Sequence, residues 1–353
     1  MPKKEEPKMN RTTIAVDLAK SVFQVAVADG DWRVVSRRRL SRGQLLRFFA
    51  EQHPCLVVLE ACGTAHFWGR WLSSLGFTVR LLPPQYVRAF VRRNKTDRSD
   101  ADALLEAARS TDLTTVPVKS EQQQALLSLH RLRSAWLASR TARTNTVRGI
   151  LREFGVNVPR GARRVTAAVE TLLGEAASPV PVVLHPLLHQ ACAEVRDLQA
   201  RMEQAEGELE RLARDLPIVA LLRSVPGIGP LTSTALVASI GDVLRFPSGR
   251  HLASWLGLTP REHSSGERRR LGGISKRGDR YLRTLLIHGG RSLLAAANRR
   301  GGRDHLRAWG LEVERLRGHN RAAVAVANKL ARICWAVWRH GERYQGRPIP
   351  KAA

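Results

Sequence analysis

Two wholly apolar runs near the start of the chain each end on a carboxylate: Ile14-Ala15-Val16-Asp17 and Val57-Val58-Leu59-Glu60. Unbroken β-branched and aliphatic runs of this length read as strands buried on both faces. An acid placed directly after such a run is costly to desolvate unless it serves a purpose. Around these two runs the first 118 residues alternate between strand and helix signals. Thr12–Val16, Val22–Ala28 and Trp32–Leu40 are three strands in quick succession, with Asp29-Gly30-Asp31 as a turn between the second and third, so an antiparallel meander is expected. Helix at Gln44–Glu51, strand at Leu56–Leu59, helix at Phe67–Leu75 and strand at Phe77–Leu82 follow, closed by Pro83-Pro84. Helical stretches at Tyr86–Arg92 and Asp97–Arg109 complete the order β-β-β-α-β-α-β-α, which matches a ribonuclease H-like architecture.

The rest of the chain reads as helical. Ala125, Leu129, Leu132 and Trp136 step by four, three and four, and Val195, Leu198, Met202, Ala205, Leu209, Leu212 and Leu216 keep alternating steps of three and four. The second series is an a/d seam. Pro159, Pro179, Pro181 and Pro186 break the stretch between them, so the seam belongs either to an antiparallel hairpin within one chain or to an intermolecular coiled coil. The expected organisation is residues 11–118 as an α/β domain, 119–216 as a helical, coiled-coil connector and 217–345 as a mainly helical domain, with a last helix over about Arg321–Arg339.

Charge narrows the partners. The chain has 353 residues with 58 basic against 31 acidic, a net +27, and only 9 of the basic residues are lysine. Arginine over lysine fits a GC-rich genome, but codon bias does not account for the shortage of acids. A surface this positive attracts polyanions, nucleic acid first among them. No apolar run approaches the ~20 residues that span a bilayer, and Met1–Asn10 lacks the apolar core of a secretory signal. Cys55, Cys62, Cys192 and Cys334 have no paired spacing, which suits a reducing cytoplasm and neither a zinc site nor a disulfide framework.

Four acids form the first chemical constellation. Asp17 and Glu60 end strands, and Asp97 and Asp100, three apart at the start of a helix, share one face. Such carboxylates repel one another unless cations neutralise them, and hard oxygen donors suit Mg²⁺ or Mn²⁺. Read singly, Asp97 also fits an N-cap, Asp100 a first-turn dipole partner and Glu60 a surface charge. Asp102, five residues beyond Asp97, points elsewhere. The second constellation is Pro226-Gly227-Ile228-Gly229 before Leu231–Leu236, which has the form of a helix-hairpin-helix whose glycine amides grip a phosphate; the alternative is a tight turn for close helix packing. The third is the stretch Gly257-Leu258-Thr259-Pro260-Arg261-Glu262-His263-Ser264-Ser265-Gly266-Glu267-Arg268-Arg269-Arg270 with Ile274-Ser275-Lys276-Arg277-Gly278. A serine there can bind a phosphate, cap a turn or attack, and nothing marks His263 as its base.

Taken in order, Ala15-Val16-Asp17, Leu59-Glu60-Ala61-Cys62-Gly63, Asn94–Ala101, Pro226–Gly229, Gly257–Arg261, Ser264-Ser265-Gly266 and Ser275–Gly278 resemble the insertion-sequence transposases of the IS-one-ten family, which includes the IS-eleven-eleven group and the pilin-gene invertases. The resemblance spans about residues 12–340. Cys62 stands where the family commonly has threonine, which touches no proposed ligand. The resemblance implies a Holliday-resolvase-like (RuvC-like) N-terminal domain whose DEDD acids are Asp17, Glu60, Asp97 and Asp100, a coiled-coil connector, and a C-terminal domain whose nucleophilic serine falls on Ser265, with Ser264 adjacent. It also implies Mg²⁺ or Mn²⁺, DNA ends and target as substrates, a structured guide RNA and a homo-oligomer joined through the coiled coil, in the cytoplasm at the nucleoid. Lys95, Arg98, Gly227, Gly229, Arg261, Arg268, Arg269, Arg270, Lys276 and Arg277 are the expected nucleic-acid contacts. The expected activity is excision and insertion of a mobile element. The alternatives are a junction-resolving endonuclease or site-specific invertase, and a non-enzymatic architectural binder.

Overall fold

The computed structural model describes residues 12–90, 97–110, 113–175, 177–265, 268, 270–301 and 304–346, without the side chains of 97–99 and 300. The chain divides into two units, Met1–Glu121 and Gln122–Ala353.

The first unit is a five-stranded sheet. Strands β1 (Thr13–Asp17), β2 (Val22–Ala28) and β3 (Val34–Ser41) form the expected meander, and β4 (Leu56–Glu60) and β5 (Thr78–Leu82) add in parallel on the other side of β1, giving the order β3-β2-β1-β4-β5. Strand β3 begins at Val34 rather than Trp32. Asp29 Oδ1 accepts from the amides of Asp31 and Arg33, and Trp32 takes a positive φ of 63°, so the turn runs two residues further than its sequence suggests.

Helix α1 (Arg42–Ala50) opens on a capping box in which Ser41 and Gln44 satisfy each other's backbone amides. With α2 (Ala65–Ser74) it covers one sheet face, where Leu45, Phe48, Phe49, Trp68 and Leu72 pack on Ile14, Val16, Val57 and Leu59. The expected helix at Tyr86–Arg92 is shorter and earlier. Pro84, suited to a first helical turn, starts α3 (Pro84–Val87), a 3₁₀ turn follows at Arg88–Phe90, and residues 91–92 lie outside the described residues. Helix α4 (Asp97–Arg109), at the bounds expected, covers the opposite face. There Ala15, Ala26, Ala28 and Val58 meet Ala101, Leu104 and Ala108. Small residues on both sides let this helix approach the sheet closely.

The second unit begins with α5 (Glu121–Glu153), α6 (Ala162–Gly174) and α7 (His185–Ala213). Arg133 pairs with Glu206, Arg140 with Gln199 and Arg143 with Glu194, so α5 and α7 run antiparallel within one chain. The a/d seam of α7 is used there: Val195, Met202, Ala205 and Leu209 are buried. The first apolar series does not mark the inner face of α5, because Ala125 and Leu132 are exposed. The buried stripe is Leu126, His130, Thr144, Val147 and Leu151, one residue on from the apolar series. Its inward polar positions are satisfied elsewhere, His130 by Tyr281 and Thr234 and Thr144 by the Arg140 carbonyl of its own helix, a signal that hydrophobic spacing does not carry.

Helices α8 (Pro217–Leu222), α9 (Pro230–Ile240), α10 (Gly249–Trp255), α11 (Arg280–Arg300), α12 (His305–Arg317) and α13 (His319–His340) enclose the largest core of the unit, including Leu236, Leu252, Leu286, Leu294, Val326 and Leu330. The arginine- and glycine-rich stretch after Gly257 contains an antiparallel pair, β6 (Pro260–Glu262) and β7 (Leu271–Ile274). A buried polar node joins α5 to this core. His130 Nδ1 lies 3.0 Å from the Tyr281 hydroxyl and Nε2 3.0 Å from Thr234 Oγ1. The Thr234 proton goes to the Pro230 carbonyl at 2.7 Å, so His130 donates from Nε2 and accepts at Nδ1 as a neutral ring. Burial pushes its pKa down to about 4.

Candidate functional site

The acids of the first unit are set by strand periodicity. Ala15 and Val58 lie under α4, so Asp17 and Glu60, two residues further along their strands, face the same side. Strands β1 and β4 are parallel, and their register ends at Val16 opposite Leu59, which makes Asp17 and Glu60 the next neighbours at the carboxyl ends. Ligands of open α/β sheets bind outside those ends. Asp100, in the first turn of α4, has its Oδ1 buried with no hydrogen-bond partner among the described residues, a cost of roughly 1–3 kcal/mol for such a group. Asp102, set aside above, forms a two-pronged pair with Arg37 on β3 at 3.0 and 3.1 Å. Arg37 is in register with Ala26, and Ala26 with Ala15, so the pair spans from α4 to the strand beside β2. Helix α4 starts at Asp97 as expected, and the Asp97 side chain, like Lys95 and the Arg98 side chain, lies outside the described residues. Among the described residues no three His, Cys, Asp or Glu side chains form a group that could hold a metal ion.

In the second unit, Ser264 and Ser265 occupy the β6–β7 hairpin. The His263 amide bonds to Arg270 O at 2.9 Å, and Ser265 and Arg268 exchange backbone bonds of 3.3 and 3.2 Å at the tip. The two serines differ. Ser264 donates its hydroxyl to Glu262 Oε1 at 2.8 Å and accepts from the Arg270 amide at 3.2 Å, so its oxygen is tied into the hairpin. Glu262 is the partner that sequence reasoning missed; its position two residues before Ser264 on a strand was the available signal. Ser265, Arg261, Arg268, Arg270, Lys276 and Arg277 are all exposed, and Gly266 and Arg269 lie outside the described residues.

The base of the hairpin is rigid. Arg283, buried on α11, donates to Leu256 O at 3.0 Å and Arg277 O at 3.3 Å. Gly257 and Gly278, both at positive φ, bring the α10 end and the Ser275–Gly278 turn into backbone contact that no Cβ could enter. Sequence reasoning did not single out Arg283; an arginine amid the apolar residues of a helix was the trace it left. All four cysteines are free thiols, and burial pushes Cys55 up to about 11, Cys334 to about 12 and Cys192 upward, which makes these three poor nucleophiles.

The Pro226–Gly229 turn lies between α8 and α9 as a helix-turn-helix unit. Gly229 is exposed at the start of α9, whereas Gly227, at φ +84°, packs against Gly289 of α11. Close helix packing therefore accounts for Gly227.

Comparison with known proteins gives the following. Residues 219–306 match the family model described as "Transposase IS116/IS110/IS902 family", and residues 14–156 match a DEDD transposase model of the IS110 type, described as "Transposase". The chain is 46% identical over 331 residues to a probable family 20 transposase of Pseudomonas aeruginosa, covering 93% of this chain and 97% of the relative. It is 37% identical over 332 residues to the transposase for insertion sequence element IS1111A of Coxiella burnetii, covering 94% and 91%. It is 24% identical over 298 residues to the pilin gene-inverting protein of Moraxella bovis, covering 79% and 82%.

Proposed function

The chain belongs to the IS116/IS110/IS902 family of transposases, and from that premise we propose that it excises and inserts its own element through the four acids of the first unit and Ser265 of the second. The observation that carries the acidic half is the Oδ1 of Asp100, buried with no hydrogen-bond partner among the described residues, on the helix that covers the Asp17 and Glu60 face. An oxygen left so is one that a bound cation would satisfy, and a carboxylate donor set suits a hard divalent ion. Asp17, Glu60, Asp97 and Asp100 would hold Mg²⁺ or Mn²⁺, which when bound supplies charge stabilisation to a phosphodiester under attack. The meander followed by two parallel strands, in the order β3-β2-β1-β4-β5, supports a ribonuclease H-like reading of this unit.

The serine half follows from the hairpin. Ser265 Oγ attacks phosphorus, the Ser–O–P ester forms, one strand ester bond breaks, and the leaving sugar oxygen takes up a proton as the serine gives one up. One phosphate ester replaces another, so rejoining by the reverse step needs no external energy source. The tie of Ser264 to Glu262 and the Arg270 amide favours Ser265 over its neighbour. Arg261 and Arg268 would hold the phosphate and balance charge in the pentacovalent state. The basic surface also suits a structured RNA carried with the enzyme, and more than one copy would supply the acids and serines for all the strands exchanged. The α5–α7 seam is occupied within the chain, so assembly would use other surfaces. The test is strand exchange with Mg²⁺ present or chelated, for the wild type and Ser265→Ala; loss in both confirms the pairing of acids and serine, and full activity of Ser265→Ala refutes it.

A further inference from the structure

A groove of about 1180 Å³ lies between strand β7 and helix α13 in the second unit. It exceeds the ~300–1,000 Å³ of small-molecule sites, so a polymer segment suits it better than a metabolite. Its cations are Arg317, Arg321, Lys329 and Arg332, with no acid among the lining residues. Among the described residues none of the four forms an ion pair. Arg321, Ala325, Asn328 and Arg332 step by four, three and four, which places them on one stripe of α13, while the opposite face of that helix is core. Arg321 and Arg332 are therefore about 16 Å apart along the helix, far enough to meet different phosphates of one strand. Between the cations the walls are apolar, with Trp309, Leu258, Leu271 and Val324. Lys329 Nζ sits 4.1 Å from the Trp309 ring centre, and burial first and the nearby Arg332 second hold its pKa below the usual lysine value.

The glycines of β7 supply an independent observation. Gly272 and Gly273 line the groove, neither takes positive φ, and a Cβ on Gly273 would meet nothing within 4 Å while one on Gly272 would make only ordinary contact. The fold does not need glycine at either place. A glycine in a strand weakens it, and it marks where another backbone comes close.

We infer that this groove binds the backbone of a single DNA strand leading to the serine hairpin, with Arg321 and Arg332 on phosphates and the strand passing over Gly272-Gly273. A single strand exposes the base faces that apolar walls can take, whereas a duplex hides them. DNA is chosen because β7 is itself one arm of the hairpin that carries Ser264 and Ser265, so the inference rests on the proposed strand-cleaving role of that hairpin.

The experiment is equilibrium binding of a fluorescent single-stranded DNA oligonucleotide to the full-length protein, over a range of salt, with an RNA oligonucleotide of the same sequence in parallel. Arg321→Gln with Arg332→Gln should weaken DNA binding at least tenfold and flatten the log–log salt slope by about 0.7 for each lost phosphate contact. Gly273→Val should weaken binding at least fivefold while thermal stability is unchanged or higher. Ser265→Ala should bind as the wild type does, so loss of the covalent step leaves this result standing. Unchanged affinity and slope in the arginine pair, or in Gly273→Val, overturns the groove as the binding site. Tighter binding of the RNA, lost in the same variants, overturns DNA as its occupant.

Discussion

Gly227 and Gly289 meet backbone to backbone: a Cβ on Gly227 would stand 2.6 Å from the Gly289 carbonyl oxygen, and a Cβ on Gly289 would press on that of Gly227. The turn before α9 is thus locked onto α11, the helix whose first turns brace the hairpin through Arg283. Gly227→Ala must relieve both a backbone clash and a positive φ. It should cost about 3 kcal/mol or more of unfolding free energy, read by chemical denaturation, whereas Gly229→Ala, with open space at its Cβ, should cost under ~1 kcal/mol. Equal stability of the two variants would show that the close approach is not what holds the turn.

Asp100 offers a test of the acidic face that does not depend on activity. Neutralising a buried carboxylate oxygen that lacks a partner among the described residues should leave the thermal midpoint of Asp100→Asn equal to or above the wild type without metal. Added Mg²⁺ should then raise the midpoint of the wild type and not of the variant, because a ligand that binds only the native state stabilises it. Asp17→Asn, Glu60→Gln, Asp97→Asn and Asp100→Asn should each abolish strand exchange with the fold intact. A Mg²⁺ shift that persists in Asp100→Asn speaks against this site.

His130 ties stability to pH. Its pKa falls from 6.5 to about 4 on folding, so between those values the unfolded chain binds the proton and the native chain does not. Stability from this group is complete above about pH 6.5 and is lost as pH falls toward 4, up to about 3 kcal/mol in all. Denaturation at stepped pH should show this loss in the wild type and not in His130→Gln. The same slope in both would assign the effect to other groups.

The arginines of the hairpin predict a salt effect on duplex DNA. Replacing Arg268, Arg269 and Arg270 together by glutamine should flatten the log–log slope by about 0.9 for each phosphate contact removed. Binding titrations from low to moderate salt measure it, and an unaltered slope would mean that the hairpin tip faces away from the duplex.

Strand ends carried most of what could be read in advance. Asp17 and Glu60 are legible because an apolar run that stops on an acid fixes both the strand and, through the two-residue period, the face. The inner face of α5 was not, because His130 and Arg133 point inward to Tyr281, Thr234 and Glu206, and partners distant in sequence leave no local periodicity. Strand β7 was missed for a related reason. Leu271-Gly272-Gly273-Ile274 has little strand propensity, and it pairs because Gly257, Gly278 and Arg283 hold the hairpin base in place. The groove on α13 was hidden because Arg321, Lys329 and Arg332 come together with β7 only in three dimensions.

A covalent link between the protein and DNA is the step on which strand exchange through Ser265 depends. Full-length protein is incubated with labelled element-end DNA and Mg²⁺, with and without RNA transcribed from the element's non-coding end, then denatured, digested and mapped by mass spectrometry. A phosphodiester adduct on Ser265 is expected, absent in Ser265→Ala and absent in Asp17→Asn. Strand cleavage that proceeds with no adduct on the protein, or an adduct that survives in Ser265→Ala, would contradict Ser265 as the nucleophile.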